Sequence, residues 1–145
     1  MVKLKILFLC TGNSCRSQMA EGWAKHLKAD LLKVYSAGTD PKGLNLNAIR
    51  VMAEVGVDIS NQHSKHFHEF EDIPLDFIIT LCSNAKGTCP TFPEPTRLLH
   101  VNFDDPSIIV GSAQTIEETL NHYRRVRDEI RSFIETLPNA LKGLL

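Results

Sequence analysis

The stretch from Leu4 to Ser17 constrains the fold of this chain more than any other. Leu4 to Cys10 is a short, nearly continuous apolar run, interrupted only by Lys5, and it passes straight into Thr11-Gly12-Asn13-Ser14-Cys15-Arg16-Ser17. An apolar run of this length without strict alternation suits a central strand covered on both faces. Beyond Arg16, the residues Met19, Ala20, Trp23, Ala24 and Leu27 recur at three- and four-residue spacing, and Ser17 is a natural N-cap, so a helix is predicted to follow the loop.

The same alternation continues. Leu31 to Ala37 reads as a second strand, Asn47 to Val55 as a helix stopped by Gly56, Asp76 to Cys82 as a third strand and Arg97 to Phe103 as a fourth. A long helix closes the chain with an apolar stripe through Ile116, Leu120, Tyr123, Ile130, Ile134 and Leu137. Arg124 and Arg125 stand four residues before Asp128 and Glu129 on its solvated side. Strands alternating with helices predict an α/β fold, a parallel sheet wrapped on both faces with right-handed crossovers. In such sheets the carboxyl ends of the strands share one rim, where ligands bind. Cys10, Ser36 to Gly38, Cys82 and Asp105 are all expected there. The 145 residues show no repeat or linker, only a Pro- and Gly-containing cluster from Gly87 to Pro95, so one domain over 1–145 is expected.

Composition narrows the function. A formal charge of −1, with seven Phe, two Tyr and one Trp, is a poor match to a nucleic-acid binder or a membrane-surface protein, so a small partner is expected. The apolar run before Cys10 is too short for a secretory h-region, and no stretch approaches the roughly 20 apolar residues of a membrane span. A cytoplasmic protein is therefore expected. In that reducing compartment the four cysteines suit catalysis, redox chemistry or metal binding better than structural disulfides.

The loop from Cys10 to Ser17 has the makings of an oxyanion cradle. Backbone N–H groups of Thr11, Gly12, Asn13, Ser14 and Cys15 can turn inward, and the helix N-terminus adds partial positive charge. Gly12 lets the backbone curl, Asn13 tolerates a left-handed conformation, and Arg16 offers a planar fork to two oxygens of an anion. The same surroundings favour the thiolate of Cys10, to which Ser17 can donate a hydrogen bond. No Gly-x-x-x-x-Gly-Lys-Ser pattern is present, so this is not a nucleotide-binding loop.

The segment Cys10 to Ser17 resembles the signature loop of low-molecular-weight tyrosine phosphatases, and Asp105-Pro106 resembles their general-acid loop. Within that superfamily the chain most resembles the thioredoxin-coupled arsenate reductases, through Cys-Thr-Gly-Asn-Ser-Cys-Arg-Ser-Gln-Met-Ala-Glu-Gly at Cys10 to Gly22, Tyr35 to Gly38, Cys82 with Cys89, Phe103 to Pro106 and Arg125 to Ile130. The resemblance implies a four-stranded parallel sheet in the order 2-1-3-4 flanked by helices. It implies Cys10 as nucleophile, Cys82 and Cys89 as successive resolving thiols, and Asp105 as the acid for the departing oxygen. Arsenate and thioredoxin are the partners it implies, acting on a monomer with no nucleic acid and no membrane. It supplies no organic cofactor, but some members hold a potassium ion with residues matching Asn13, Glu21 and Ser36. Position 65, where a matching acid is expected, is Lys65, and Lys33 is also available to pair with Glu21, so an ammonium group can stand in for that ion.

Other readings remain open. A phosphatase needs only Cys10, Arg16 and Asp105, although Ser107 stands where tyrosine phosphatases of this type carry an aromatic residue. An oxyanion-binding or redox-sensing module would use the same thiols without turnover. Zinc is disfavoured, because Cys10-x4-Cys15 and Cys82-x6-Cys89 contain no Cys-x2-Cys knuckle and Arg16 repels a cation. Cys15 reads as a small loop residue, and His63, His66 and His68 as a polar surface connection.

Overall fold

The computed structural model describes residues 2–81, 96–107 and 115–144. Its sheet has four parallel strands, β1 (Leu4–Cys10), β2 (Leu32–Gly38), β3 (Phe77–Thr80) and β4 (Arg97–His100), in the order β2-β1-β3-β4. The helices are α1 (Arg16–Leu27), α2 (Leu46–Glu54) and α3 (Ile116–Glu135), with 3₁₀ turns at Phe67–Phe70 and Asn139–Leu144. The implied strand order and parallel sense are thus those observed.

The near-continuous apolar run of β1 has a direct cause. Ile6 and Phe8 point into a core built with Met19 and Trp23 of α1, Val51 and Met52 of α2, and Leu120, Val126 and Ile130 of α3. Leu7 and Leu9 point the other way, onto Ala37, Ile78, Leu75 and Phe70. All four β1 side chains are fully buried, each worth about 1.5–3 kcal/mol. A polar residue at any of these positions would lose that contribution and be left without a partner.

Several boundaries differ from the sequence reading. Helix α1 begins at Arg16, its N-cap is Cys15 with no side-chain cap, and Ser17 lies inside the first turn, so Ser17 is not the cap. The capping role it would have had is displaced by a tertiary one, described below. Helix α2 is capped instead by Asn45, whose Oδ1 accepts from Ala48 N. β3 ends at Thr80, and Cys82 lies outside the described residues, as do Cys89 and the Gly87 to Pro95 cluster. β4 ends at His100, although Val101 N and Phe103 N still donate to Thr80 and Leu81 carbonyls.

On α3, Ile116 is 72% exposed and so does not belong to the buried stripe, which begins at Leu120. Arg125 pairs with Glu129 as the spacing predicts, but Arg124 does not pair with Asp128. It clamps Glu54 of α2 with Nε and Nη2, at 2.9 and 2.6 Å. A bidentate carboxylate on a neighbouring helix offers better geometry than an acid one turn away.

Candidate active site

The loop between β1 and α1 is shaped by the segment that follows β2. Thr39 N, Asp40 N, Lys42 N and Asn45 N donate to the carbonyls of Cys10, Thr11, Gly12 and Ser14 at 3.3, 2.8, 2.9 and 3.0 Å. Ser64 Oγ adds a second donor to Gly12 O, and Gln18 Nε2 takes Asn13 O. In a trans peptide the N–H lies opposite the C=O. Drawing these carbonyls outward therefore turns the amides that follow them toward the concave side, as an anion cradle requires.

The tight approach occurs at Gly38 rather than Gly12. A Cβ on Gly38 would stand 2.5 Å from Thr11 O and 2.8 Å from Asn13 N, so any side chain there would push the loop away. Asn13 has φ +45°, the left-handed conformation expected of it.

The loop, Lys42, Asn45, Asp105 and Ser107 enclose a pocket of about 320 Å³ with Cys10 in its wall. Cys10 Sγ lies 3.0 Å from Ser17 Oγ, and both residues are buried. Asn13 Nδ2 donates to Ser17 Oγ at 2.8 Å. Asn13 Oδ1 accepts from Gln18 Nε2 and Lys65 N, which fixes the orientation of its amide. With one lone pair of Ser17 taken by Asn13, its proton is available to Cys10 whenever that sulfur is a thiolate.

Arg16 Nη1 donates to Phe103 O at 3.0 Å and Nη2 meets Asp105 Oδ2 at 3.3 Å. The other oxygen of Asp105 accepts from both N–H and Oγ of Ser107, at 2.9 and 2.6 Å. Ser107 thus turns Asp105 across the pocket mouth. Cys15 also lines the pocket, but burial pushes its thiol far up, Asp105 and Cys10 add to that, and Arg16 only partly opposes it.

Behind the loop, Glu21 is buried between two ammonium groups. Lys25 Nζ lies 2.5 Å from Oε2 and Lys65 Nζ 3.7 Å from Oε1, while Ser36 Oγ donates to Oε1. Lys33 is not the partner of Glu21, because Lys25 reaches it from one turn along α1. Lys65 Nζ also donates to His63 O at 2.7 Å and approaches Ser36 Oγ at 3.5 Å. A potassium ion held by Asn13, Glu21 and Ser36 would meet this ammonium, and Asn13 Oδ1 is already occupied by two donors. The residues present do not fit that ion.

The structure brings together Cys10, Thr11, Gly12, Asn13, Ser14, Cys15, Arg16, Ser17 and Asp105, while Cys82 and Cys89 lie outside the described residues. His66 and His68 stack at 4.3 Å between ring centres on the surface. No three His, Cys, Asp or Glu side chains converge as metal ligands would among the described residues. Sequence reasoning missed Lys42, whose stem covers Gly12 and whose Nζ pairs with Asp40 at the pocket rim. It also missed Asn45, which caps α2 and donates to Tyr123 Oη at 3.1 Å. The Asn45-x-x-Ala48 start of α2 was the only local signal for either.

The model of the low molecular weight phosphotyrosine protein phosphatase family matches residues 5–143. An arsenate reductase of Bacillus subtilis is 50% identical over 135 residues, spanning 90% of this chain and 95% of that protein. An arsenate reductase solved in its phosphate-binding state superimposes with a TM-score of 0.73 at 32% identity, covering 96% of this chain and 99% of the other. A low molecular weight protein tyrosine phosphatase of T. tengcongensis gives 0.74 at 25% identity, covering 96% and 100%.

Proposed function

The chain belongs to the low molecular weight phosphotyrosine protein phosphatase family, and on that premise we propose that it reduces arsenate to arsenite through a Cys10 adduct and a thiol relay. The observation that carries the chemistry is the Ser17 hydroxyl 3.0 Å from Cys10 Sγ inside a pocket bounded by Arg16 and Asp105. Reduction rather than hydrolysis is favoured by Cys82 and Cys89 in the sequence and by the half-identity to an arsenate reductase.

In this reading arsenate displaces the Asp105 carboxylate from Arg16 and takes the loop amides. Asp105, released from Arg16, takes up a proton; the Cys10 thiolate attacks arsenic, an As–O bond breaks, and the departing hydroxyl oxygen leaves as water on receiving that proton from Asp105. Cys82 thiolate then attacks Cys10 Sγ. The S–As bond breaks with its electron pair left on arsenic, so arsenic(III) departs as arsenite and a Cys10–Cys82 disulfide forms. Attack of Cys89 on Cys82 expels the Cys10 thiolate and leaves a Cys82–Cys89 disulfide, which two electrons and two protons from a dithiol such as thioredoxin reopen.

The test supplies arsenate, thioredoxin, thioredoxin reductase and NADPH and compares turnover with that on an aryl phosphate. Cys10→Ser should abolish both reactions. Cys89→Ser should release about one equivalent of arsenite and stop as a Cys10–Cys82 disulfide, identified by mass spectrometry after alkylation. Sustained turnover by Cys89→Ser would remove the relay. Phosphate hydrolysis without arsenite would select the phosphatase reading, for which Cys10, Arg16 and Asp105 suffice.

A further inference from the structure

We propose that Lys65 is a positioning residue of this site, a built-in cation that holds the wall behind the loop and through it aims Ser17 at Cys10. The inference rests on the reading of Cys10 as the attacking thiolate and deepens it.

Lys65 is buried, with 9% of its side chain exposed, and its ammonium faces Glu21, Ser36 and His63 O. Its main chain spans two elements: the N–H donates to Asn13 Oδ1 and the C=O accepts from Gly38 N, both at 2.8 Å. Its ammonium ties that same main chain down by donating to His63 O and facing Glu21 and Ser36. Asn13 needs this support. Its backbone is left-handed, its side chain is wholly buried, and its oxygen is held by Gln18 Nε2 and Lys65 N while its Nδ2 reaches Ser17. The route from Lys65 to the thiol is therefore Asn13, Ser17, Cys10, each link a hydrogen bond of 2.8 to 3.0 Å.

The charges around Lys65 are paired. Glu21 faces the ammonium groups of Lys25 and Lys65, and Glu69 adds a second carboxylate near Lys65, against a burial that works on its charged form. A groove of about 890 Å³ opens from solvent onto Glu21, Lys25 and Lys65. Removing the Lys65 side chain would leave Glu21 and Ser36 reachable from that groove, and a small external cation could then take the vacated place.

The experiment measures alkylation of Cys10 by iodoacetamide near neutral pH, resolved by peptide mass spectrometry, with KM and kcat for an aryl phosphate alongside. Wild type, Lys65→Ala and Lys65→Arg are compared in choline, sodium and potassium chloride at one ionic strength of about 0.1 M. Lys65→Ala should alkylate roughly 10-fold more slowly in choline, the scale of one lost hydrogen bond to a charged group. Potassium should restore most of the loss. Lys65→Arg should stay within about 3-fold of wild type in every salt, and wild type should be indifferent to the cation. The proposal is overturned if potassium accelerates wild type, if Lys65→Ala reacts like wild type, or if its loss is unaffected by any cation. Should Lys65→Ala not fold, wild-type indifference together with Lys65→Arg retention supports the proposal, and failure of either overturns it. Absence of arsenite formation in wild type, with this alkylation pattern intact, would sink the reductase reading alone.

Discussion

Replacing Ser17 by alanine removes one atom whose two contacts predict two separate effects. Ser17 is fully buried, 3.0 Å from Cys10 Sγ and 2.8 Å from Asn13 Nδ2. A hydrogen bond to a charged acceptor contributes about 1.5–3 kcal/mol, against about 1 kcal/mol for a neutral one. If Cys10 reacts as a thiolate, Ser17→Ala should shift its thiol–thiolate balance toward the thiol by about 10- to 100-fold. Alkylation of Cys10 below the plateau of its pH profile should slow by the same factor, with little change on the plateau. The second effect is on folding. Asn13 Nδ2 loses its acceptor in a site with no solvent access, which costs about 1–3 kcal/mol and should lower the urea midpoint. A pH profile that does not move would show that Ser17 does not hold a thiolate. An unchanged urea midpoint would show that Asn13 finds another partner and that the fixed amide is wrong.

Asp105→Asn should slow the step that expels the oxygen by roughly 10²- to 10⁴-fold while leaving Cys10 alkylation intact; unaltered turnover removes Asp105 from that step. Cys15, its thiol pushed up chiefly by burial, should resist iodoacetamide up to pH 9 under conditions that modify Cys10, and labelling of Cys15 in that range would show that burial does not hold it as a thiol. Glu54 is held below its ordinary 4.5, first by the Arg124 hydrogen bonds and then by the charge of Arg124 and the contacts of Arg127, against the opposing pull of desolvation. Its folded-state value being the lower one, its contribution to stability is present above about pH 4.5 and is lost as the pH falls through the depressed value. Glu54→Gln should therefore flatten the decline in urea midpoint between about pH 5 and pH 3, and parallel curves for the two proteins would refute the assignment.

Local patterning in the sequence determined the strand, loop and helix around Cys10, because Cys10, Asn13 and Arg16 sit within seven residues and adjacent turns must place them near one another. It also determined the parallel α/β alternation. Asp105 could be placed at the same rim because every parallel strand directs its carboxyl end there. The order of the strands came from resemblance, since periodicity records which face is buried and not which strand lies beside which. Tertiary structure decided the partners of buried polar groups. Ser17 looked like a cap because Ser before an apolar periodicity usually is one, yet a thiol from β1 and an amide from Asn13 claim its hydroxyl. Lys25 rather than Lys33 meets Glu21, and Lys65 reaches the back of the loop from a segment more than fifty residues away in the chain. Hydrophobic burial leaves a period in the sequence because many residues share it. A single buried hydrogen bond leaves none, since its two ends are brought together only by the packing of the rest of the chain.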